Sequence, residues 1–323
     1  MPVSLYLAIA NQTINETDNF YHCLFFLLSY NPVSAQRDFS NSEITKLVLL
    51  GTGNPNPSPD QSGCALALVV HDTPYIIDFG PGLVRRSAAL TPRYGGTIGG
   101  LKTEKLKTAF LTHLHSDHTA GYPDLILTPW VMGRDEPMEV YGPVGTGSMT
   151  EHILEAYEED IRYRVYGDEP TNDQGWRVNW HEFEQEGEIY RDSNIVVEAF
   201  PVTHGSWPNA WGFCFTTPDR VIVVSGDCKP SPKVVEYGKG ADILVHEVYS
   251  QAGYETKSAD WKAYHAVHHT STFEMAEIAQ KTMPGKVVLY HILFWGSSEE
   301  ELLDEIKTVY SGEVYVGADL DIF

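Results

Sequence analysis

The chain has 323 residues, of which 42% are hydrophobic, 20% are charged and 12% are aromatic. This composition excludes a disordered chain, a collagen-like repeat and a coiled coil, and no apolar run approaches the ~18 residues of a membrane-spanning helix. Lys and Arg number 22 against 44 Asp and Glu, and the formal net charge of −22 disfavours a nucleic acid as partner, because its phosphates would be repelled.

The N-terminal segment differs from the rest of the chain. A short apolar run at residues 23–28 precedes Val33-Ser34-Ala35, which fits the small-x-small pattern of a signal-peptidase site before Gln36. The residues before the run include no Lys or Arg, whereas export signals usually begin with basic residues. We therefore expect residues 1–35 to be a signal peptide or, alternatively, a disordered leader. The signal peptide predicts a periplasmic or secreted protein, and the alternative is a cytoplasmic one.

The body of the chain begins with predicted strands. Apolar runs predict strands over residues 46–50, 64–70, 74–79, 106–111 and 138–141. A helical spacing of apolar residues predicts helices over residues 122–131 and 149–160. The polar residues 160–190 indicate an irregular excursion over the surface.

Strands and helices then alternate to the end of the chain. Further strands are predicted over residues 195–202, 212–216, 221–225, 243–248, 286–291 and 313–316. Helices are predicted over residues 232–237, 271–281 and 298–310. Both halves of the body contain strands, and no internal repeat or linker separates them. The pattern therefore predicts one α/β (α+β) domain over residues 45–323, in which helices cover two β-sheets.

The strongest chemical signal follows the predicted strand at residues 106–111. Four candidate metal ligands lie within six residues, namely His113, His115, Asp117 and His118. Buried imidazoles without a metal would keep costly unpaired nitrogens, so the cluster favours a metal site over packing. Side chains alternate along an extended segment, so His113 and His115 point the same way, and a following turn can aim the other two at a second centre. Imidazole and carboxylate ligands suit zinc, with manganese or iron as alternatives.

The pattern His-x-His-x-Asp-His resembles the signature of the metallo-β-lactamase superfamily. The resemblance covers residues 45–323 and extends to three later residues that each follow an apolar run, His204, Asp227 and His291. It implies a four-layer αββα sandwich, in which two mixed β-sheets are flanked by helices. It also implies two zinc ions, one held by His113, His115 and His204 and the other by Asp117, His118 and His291, with Asp227 bridging both.

Other motifs resemble one branch of this superfamily. His246-Glu247 and the segment that begins at His269 resemble motifs of the ribonuclease Z-like group, and Gly51-Thr52-Gly53-Asn54-Pro55 resembles a motif of its arylsulfatase-type relatives. The resemblance implies that Asp117 orients a hydroxide while it binds metal. It also implies that His269, backed by Glu247, donates a proton or hydrogen bond to the leaving oxygen. His268 duplicates the histidine, so the sequence leaves open which of the two is catalytic.

The expected function is therefore hydrolysis at a dinuclear zinc centre. The main hypothesis is cleavage of sulfate or phosphate esters of small aromatic alcohols through a metal-bridging hydroxide, with a small-molecule ester as partner. Trp207, Trp295 and Tyr264 are candidate substrate-binding residues, with core packing as the alternative for each. The alternatives to the main hypothesis are a ribonuclease Z-type endoribonuclease that matures tRNA 3′ ends, a lactonase, and a metal-binding protein without turnover. The sequence leaves open whether the protein is a monomer or a homo-oligomer.

Overall fold

Two β-sheets face each other at the centre of the computed structural model, which describes residues 36–323. The first sheet contains six strands in sequential order, and its last three pairings are parallel. Its strands are β1 (Thr45–Gly51), β2 (Ala65–Val70), β3 (Thr73–Ile77), β4 (Thr108–Phe110), β5 (Met138–Pro143) and β6 (Val178–Phe183).

The second sheet contains seven strands, antiparallel at one end and parallel at the other. These are β7 (Gly187–Arg191), β8 (Val196–His204), β9 (Trp207–Thr216), β10 (Val221–Val224), β11 (Ile243–Tyr249), β12 (Lys286–Leu293) and β13 (Val314–Val316). Both sheets are mixed, as the sequence analysis expected.

Helices cover the outer face of each sheet. The described part of the chain contains α1 (Leu83–Ala89), α2 (Ser116–Thr119), α3 (Tyr122–Val131), α4 (Thr146–Ala156), α5 (Glu158–Tyr166), α6 (Pro232–Tyr237), α7 (Gln251–Glu255), α8 (Ala259–His268), α9 (Thr272–Thr282) and α10 (Glu299–Lys307). Apolar residues of α1 and α3 pack on the first sheet, and those of α9 and α10 pack on the second. The predicted αββα sandwich is therefore confirmed.

Aromatic and branched side chains fill the space between the sheets. The ring of Phe110 lies 6.1 Å from that of Phe213 and 5.8 Å from that of Phe215, with centroids as the reference points. The C-terminal residue Phe323 is also buried there, and it exchanges backbone hydrogen bonds of 2.9 and 2.8 Å with Leu47 of β1. Because both faces of the central strands are covered, a strand such as β2, ALALVV, is apolar throughout.

One predicted segment was wrong. Residues 160–190 are not irregular, because they contain the end of α5, the whole of β6 and most of β7. The strand β6 lies at the edge of its sheet, and four of its six residues are exposed. The helix α5 buries only Ile161. Elements that bury so little carry no hydrophobic period, so the polar sequence concealed them.

The predictions for the N-terminus and the membrane have different outcomes. No helix within residues 36–323 is both long and apolar enough to cross a bilayer. The signal peptide or leader predicted at residues 1–35 lies outside the described residues, so export stays a prediction.

Candidate metal centre

Four strands bring the predicted ligands together. The motif that begins at His113 follows β4, His204 ends β8, and Asp227 follows β10. His291 sits at an irregularity in β12, where the pairing with β11 skips one residue, and its φ is +47°. A bulge of this kind turns a side chain away from the ordinary strand direction. A left-handed φ at a histidine is uncommon, and residues held in this way cluster at functional sites.

Three imidazoles form the first group of donor atoms. His113 Nε2 lies 2.9 Å from His115 Nδ1, which lies 3.2 Å from His204 Nε2. Ligand nitrogens around a tetrahedral zinc ion, each about 2.05 Å from the metal, are about 3.3 Å apart. The three nitrogens therefore have the spacing that one such ion requires.

Two histidines and two carboxylates form the second group. His291 Nε2 lies 3.1 Å from Asp117 Oδ2 and 3.4 Å from Asp227 Oδ2. His118 Nε2 lies 3.5 Å from the same oxygen of Asp227 and 3.6 Å from Asp117 Oδ2. Asp227 also approaches His113, so it stands between the two groups. The structure thus brings all seven predicted ligands into one cluster.

The donor set fits divalent cations on electrostatic grounds. Within the described residues, His118 Nε2 and Asp227 Oδ1 are buried and have no hydrogen-bond partner. Unpaired buried polar atoms are costly, and a coordinated cation would satisfy both of these. Burial lowers the pKa of His113 well below its usual range and that of His204 to about 4, so both rings are neutral at pH 7. The neutral imidazole is the form that binds metal.

His269 and Glu247 form a buried pair beside this cluster. His269 Nδ1 lies 3.4 Å from Glu247 Oε2, and its ring stacks on that of His291 at 5.9 Å. The other oxygen of Glu247 accepts hydrogen bonds from the backbone N–H groups of Thr270 (3.0 Å) and Cys228 (3.3 Å). Burial raises the pKa of Glu247 well above its usual range and lowers that of His269 to about 4, so both shifts favour the neutral forms.

His268 occupies a different position. Its backbone carbonyl accepts a hydrogen bond of 2.8 Å from His204 Nδ1, which orients that ring. Its own ring is half-buried and stacks on Tyr264 at 3.9 Å. The geometry therefore places His269, rather than His268, against Glu247.

A cavity of about 450 Å³ opens at the cluster. Trp295 and Tyr264 line it, as do several donor residues and His269. Trp207 is not among the lining residues, and its ring packs instead on that of His115 at 4.1 Å.

Comparison with known proteins decides the family. A family model described as a beta-lactamase superfamily domain matches residues 73–292, more than half of the chain. The chain belongs to this superfamily. The match includes every residue of the donor cluster and the pair of His269 and Glu247.

Several proteins of known name resemble this chain in sequence or in fold. A ribonuclease Z from Mycobacterium bovis is 28% identical over 282 residues, which cover 85% of this chain and 96% of the relative. The structure of human tRNase Z, short form, has a TM-score of 0.63 at 22% identity. The match covers 86% of this chain and 98% of the human chain. The structure of the metallo-beta-lactamase fold protein YhfI from Bacillus subtilis has a TM-score of 0.63 at 19% identity. The match covers 86% of this chain and 99% of the YhfI chain.

The comparisons confirm the predicted superfamily, the fold and the class of metal-dependent hydrolase acting on ester bonds. Superfamily membership also implies that the protein binds divalent metal. Among the finer hypotheses, the main one was cleavage of sulfate or phosphate esters of small aromatic alcohols. The relatives support the ribonuclease Z-type alternative better.

Asp78, for which the sequence predicted no role, lies behind the donor cluster of this beta-lactamase superfamily domain. Asp78 is buried, its Oδ2 lies 2.8 Å from His118 Nδ1, and its φ is +59°. Its Oδ1 accepts hydrogen bonds from the N–H (2.8 Å) and hydroxyl (2.9 Å) of Thr112, whose hydroxyl also contacts His113 Nδ1 at 3.0 Å. One carboxylate therefore orients two candidate ligands. The available signal was an acid directly after a mostly apolar, buried strand.

We expect Asp78→Asn to weaken metal binding by about 10–100-fold, because the variant removes the anion that fixes the ring of His118. Competition with a chelator of known affinity measures this loss. Asp72→Asn is the matched control, since Asp72 is an exposed acid that pairs with Lys105. A folded Asp78→Asn protein with unchanged metal affinity would contradict the orienting role.

Proposed function

We propose that this protein is a phosphodiesterase with a ribonuclease Z-type centre of two divalent cations, of which zinc is the first candidate. The observation that carries the proposal is the donor cluster itself, two groups of ligand atoms that share Asp227 beside the cavity. Manganese and iron are the alternatives, because the donor set contains only nitrogen and oxygen. The relatives' names point to a phosphodiester as the bond that is cleaved.

The residues divide into holding and reacting groups. His113, His115 and His204 would hold one cation, and Asp117, His118 and His291 the other, with Asp227 between them. When bound, such a pair supplies Lewis acidity and brings the pKa of a water molecule near 7. Asp117 and Asp227 contribute negative charge that offsets the cations before substrate binds.

His269 is the candidate for assisting the leaving group. Its Nδ1 faces Glu247 at 3.4 Å, so Nε2 is the nitrogen that can serve a substrate in the cavity. Nε2 of the neutral ring would donate a hydrogen bond to the departing oxygen and so stabilise the charge that develops there. Two backbone N–H groups fix one carboxyl oxygen of Glu247, and the other oxygen lies 3.4 Å from His269 Nδ1, where it would orient the ring. The fully buried position of Glu247 makes it a positioning residue rather than one that contacts substrate.

The substrate side of the proposal rests on the aromatic lining. Trp295 and Tyr264 can contact a flat group attached to the phosphate, since both line the cavity. Trp207 supports the centre indirectly, because its ring packs on a candidate ligand rather than on the cavity.

A second candidate is maturation of tRNA 3′ ends, which the ribonuclease Z relatives favour. The charge of the chain opposes it. The net charge is −22, and the helices α4 and α5 together carry five carboxylates against two arginines. An RNA substrate would meet repulsion over this surface unless a basic patch or a metal screened it.

One panel of substrates distinguishes these functions. Metal-loaded protein is assayed with bis(p-nitrophenyl) phosphate, p-nitrophenyl sulfate, a lactone and a precursor tRNA, before and after chelation. We expect cleavage of the phosphodiester, loss of activity on chelation and recovery on adding zinc. Cleavage of sulfate or lactone alone, or full activity in metal-free protein, would overturn the proposal. Cleavage of the precursor at its 3′ side would establish the second candidate.

A further inference from the structure

An aromatic row lines the cavity beside the donor cluster. We use this name for Trp261, Tyr264, His265 and Trp295. The ring of His265 lies 4.4 Å from that of Trp295 and stacks on that of Trp261 at 5.6 Å. The ring of Trp261 also meets that of Tyr264 edge-on at 5.6 Å. Four rings thus form a continuous surface along one part of the cavity.

The helix that supplies most of this row is poorly covered by the protein. None of the ten residues of α8 is buried, although they include a tryptophan, a tyrosine and a valine. Trp261 is 57% exposed and Tyr264 is 40% exposed. Large rings left open in a cavity next to a reactive centre are typical of a ligand-binding surface, because a flat ligand can cover them.

Lys257 stands beside the aromatic row. Within residues 36–323 it is the one lysine or arginine that lines the cavity, and its Nζ lies 4.7 Å from the ring centre of Trp295. Within residues 36–323, Glu255 pairs with Lys262 at 2.5 Å, and no carboxylate pairs with Lys257. In a chain with a net charge of −22, this half-buried cation thus forms no ion pair with any carboxylate of residues 36–323.

We infer that Lys257 and the aromatic row form a specificity subsite for a flat ring that carries a second anionic group. The inference rests on the proposed phosphodiesterase function and adds to it a preference for substrates that carry this second anionic group. The scissile phosphate belongs at the donor cluster, whereas Lys257 lies with the aromatic row, where it can bind a phosphate or carboxylate attached to the stacked ring. A local cation also counters the repulsion between an acidic protein and an anionic substrate.

Matched substrate pairs test this subsite in the metal-loaded enzyme. One pair is phenyl p-nitrophenyl phosphate and its para-carboxyphenyl analogue, and the other is p-nitrophenyl thymidine phosphate with and without a further phosphate on the sugar. We expect Lys257→Met to raise KM for the member with the added anionic group by about fivefold, with kcat and the KM of the member without it unchanged. Lys257→Arg should retain most of the preference. Comparing the two pairs tells whether carboxylate or phosphate is preferred.

Lys262→Met is the matched control, because this lysine lies on α8 beside the aromatic row, pairs with Glu255 and does not line the cavity. An equal rise in KM for both members of each pair would overturn the subsite and would place Lys257 at the scissile phosphate instead. The same effect from Lys262→Met would also overturn it.

A binding measurement separates failure of the subsite from failure of the proposed function. Calorimetry compares phenylphosphonate with para-carboxyphenylphosphonate on the metal-loaded protein, and neither compound needs to be hydrolysed. Tighter binding of the carboxylated compound that Lys257→Met abolishes would support the subsite even if no phosphodiester is cleaved. Equal affinities for the two compounds in wild-type protein would contradict it.

Discussion

Asp227→Ala should strip metal from the protein and remove its hydrolytic activity. The carboxylate lies 3.5 Å from His118 Nε2 and 3.4 Å from His291 Nε2, and it also approaches His113. Its loss removes the negative charge shared by both donor groups. We expect about two metals per chain in the wild type and one or fewer in the variant. The value of kcat/KM should fall by at least about 10³-fold. Elemental analysis of the purified proteins measures the metal content.

The matched control for this experiment is the neighbouring residue. Cys228 is fully buried in an apolar cluster with Phe200 and Leu244, so its side chain packs away from the donor atoms. Cys228→Ala should therefore retain both metals and most of the activity. Full metal content in Asp227→Ala, or metal loss in Cys228→Ala, would show that the bridging ligand is assigned to the wrong residue.

His269→Ala should keep the metals but lower kcat by roughly 10²–10⁴-fold. The ring lies 3.4 Å from Glu247, and one of its nitrogens is also within 4.8 Å of donor atoms of His204 and Asp227. The seven predicted ligands form both donor groups without His269. Because the variant leaves the departing oxygen without this hydrogen bond, the loss should be largest for esters of weakly acidic alcohols. It should shrink for p-nitrophenolate, which departs readily as an anion. Rates for a series of leaving groups, with metal content measured in parallel, check this expectation.

His268→Ala is the control for His269. The variant removes a ring that stacks on Tyr264. It keeps the backbone carbonyl that accepts a hydrogen bond from His204 Nδ1. Its activity should therefore stay close to that of the wild type. If His269→Ala loses a metal, or slows all leaving groups equally, His269 is a ligand or an orienting residue rather than a hydrogen-bond donor to the leaving oxygen. A large loss in His268→Ala would move the catalytic assignment to that residue.

Most of the fold and the four candidate ligands of the motif that begins at His113 were predictable from local sequence. The helix Tyr122–Val131 was predicted with its observed bounds, because a buried face imposes a clear period on its apolar residues. His113 and His118 were visible as candidates because polar metal-binding residues directly follow a buried strand. His291 could be assigned only through the family resemblance, since one histidine after a strand is not distinctive by itself.

The tertiary structure alone decided the parts that depend on distant or exposed residues. The contact of Asp78 with His118 spans 40 positions, and the contact of the His268 carbonyl with His204 spans 64. No local pattern encodes such pairs, because folding brings them together across different strands. The helix α8 was not predicted, because a helix with no buried residue has no hydrophobic period to detect. The sequence by itself thus determined the metal-binding chemistry and the layered fold, while long-range packing decided how the ligands are oriented and which surface faces the substrate.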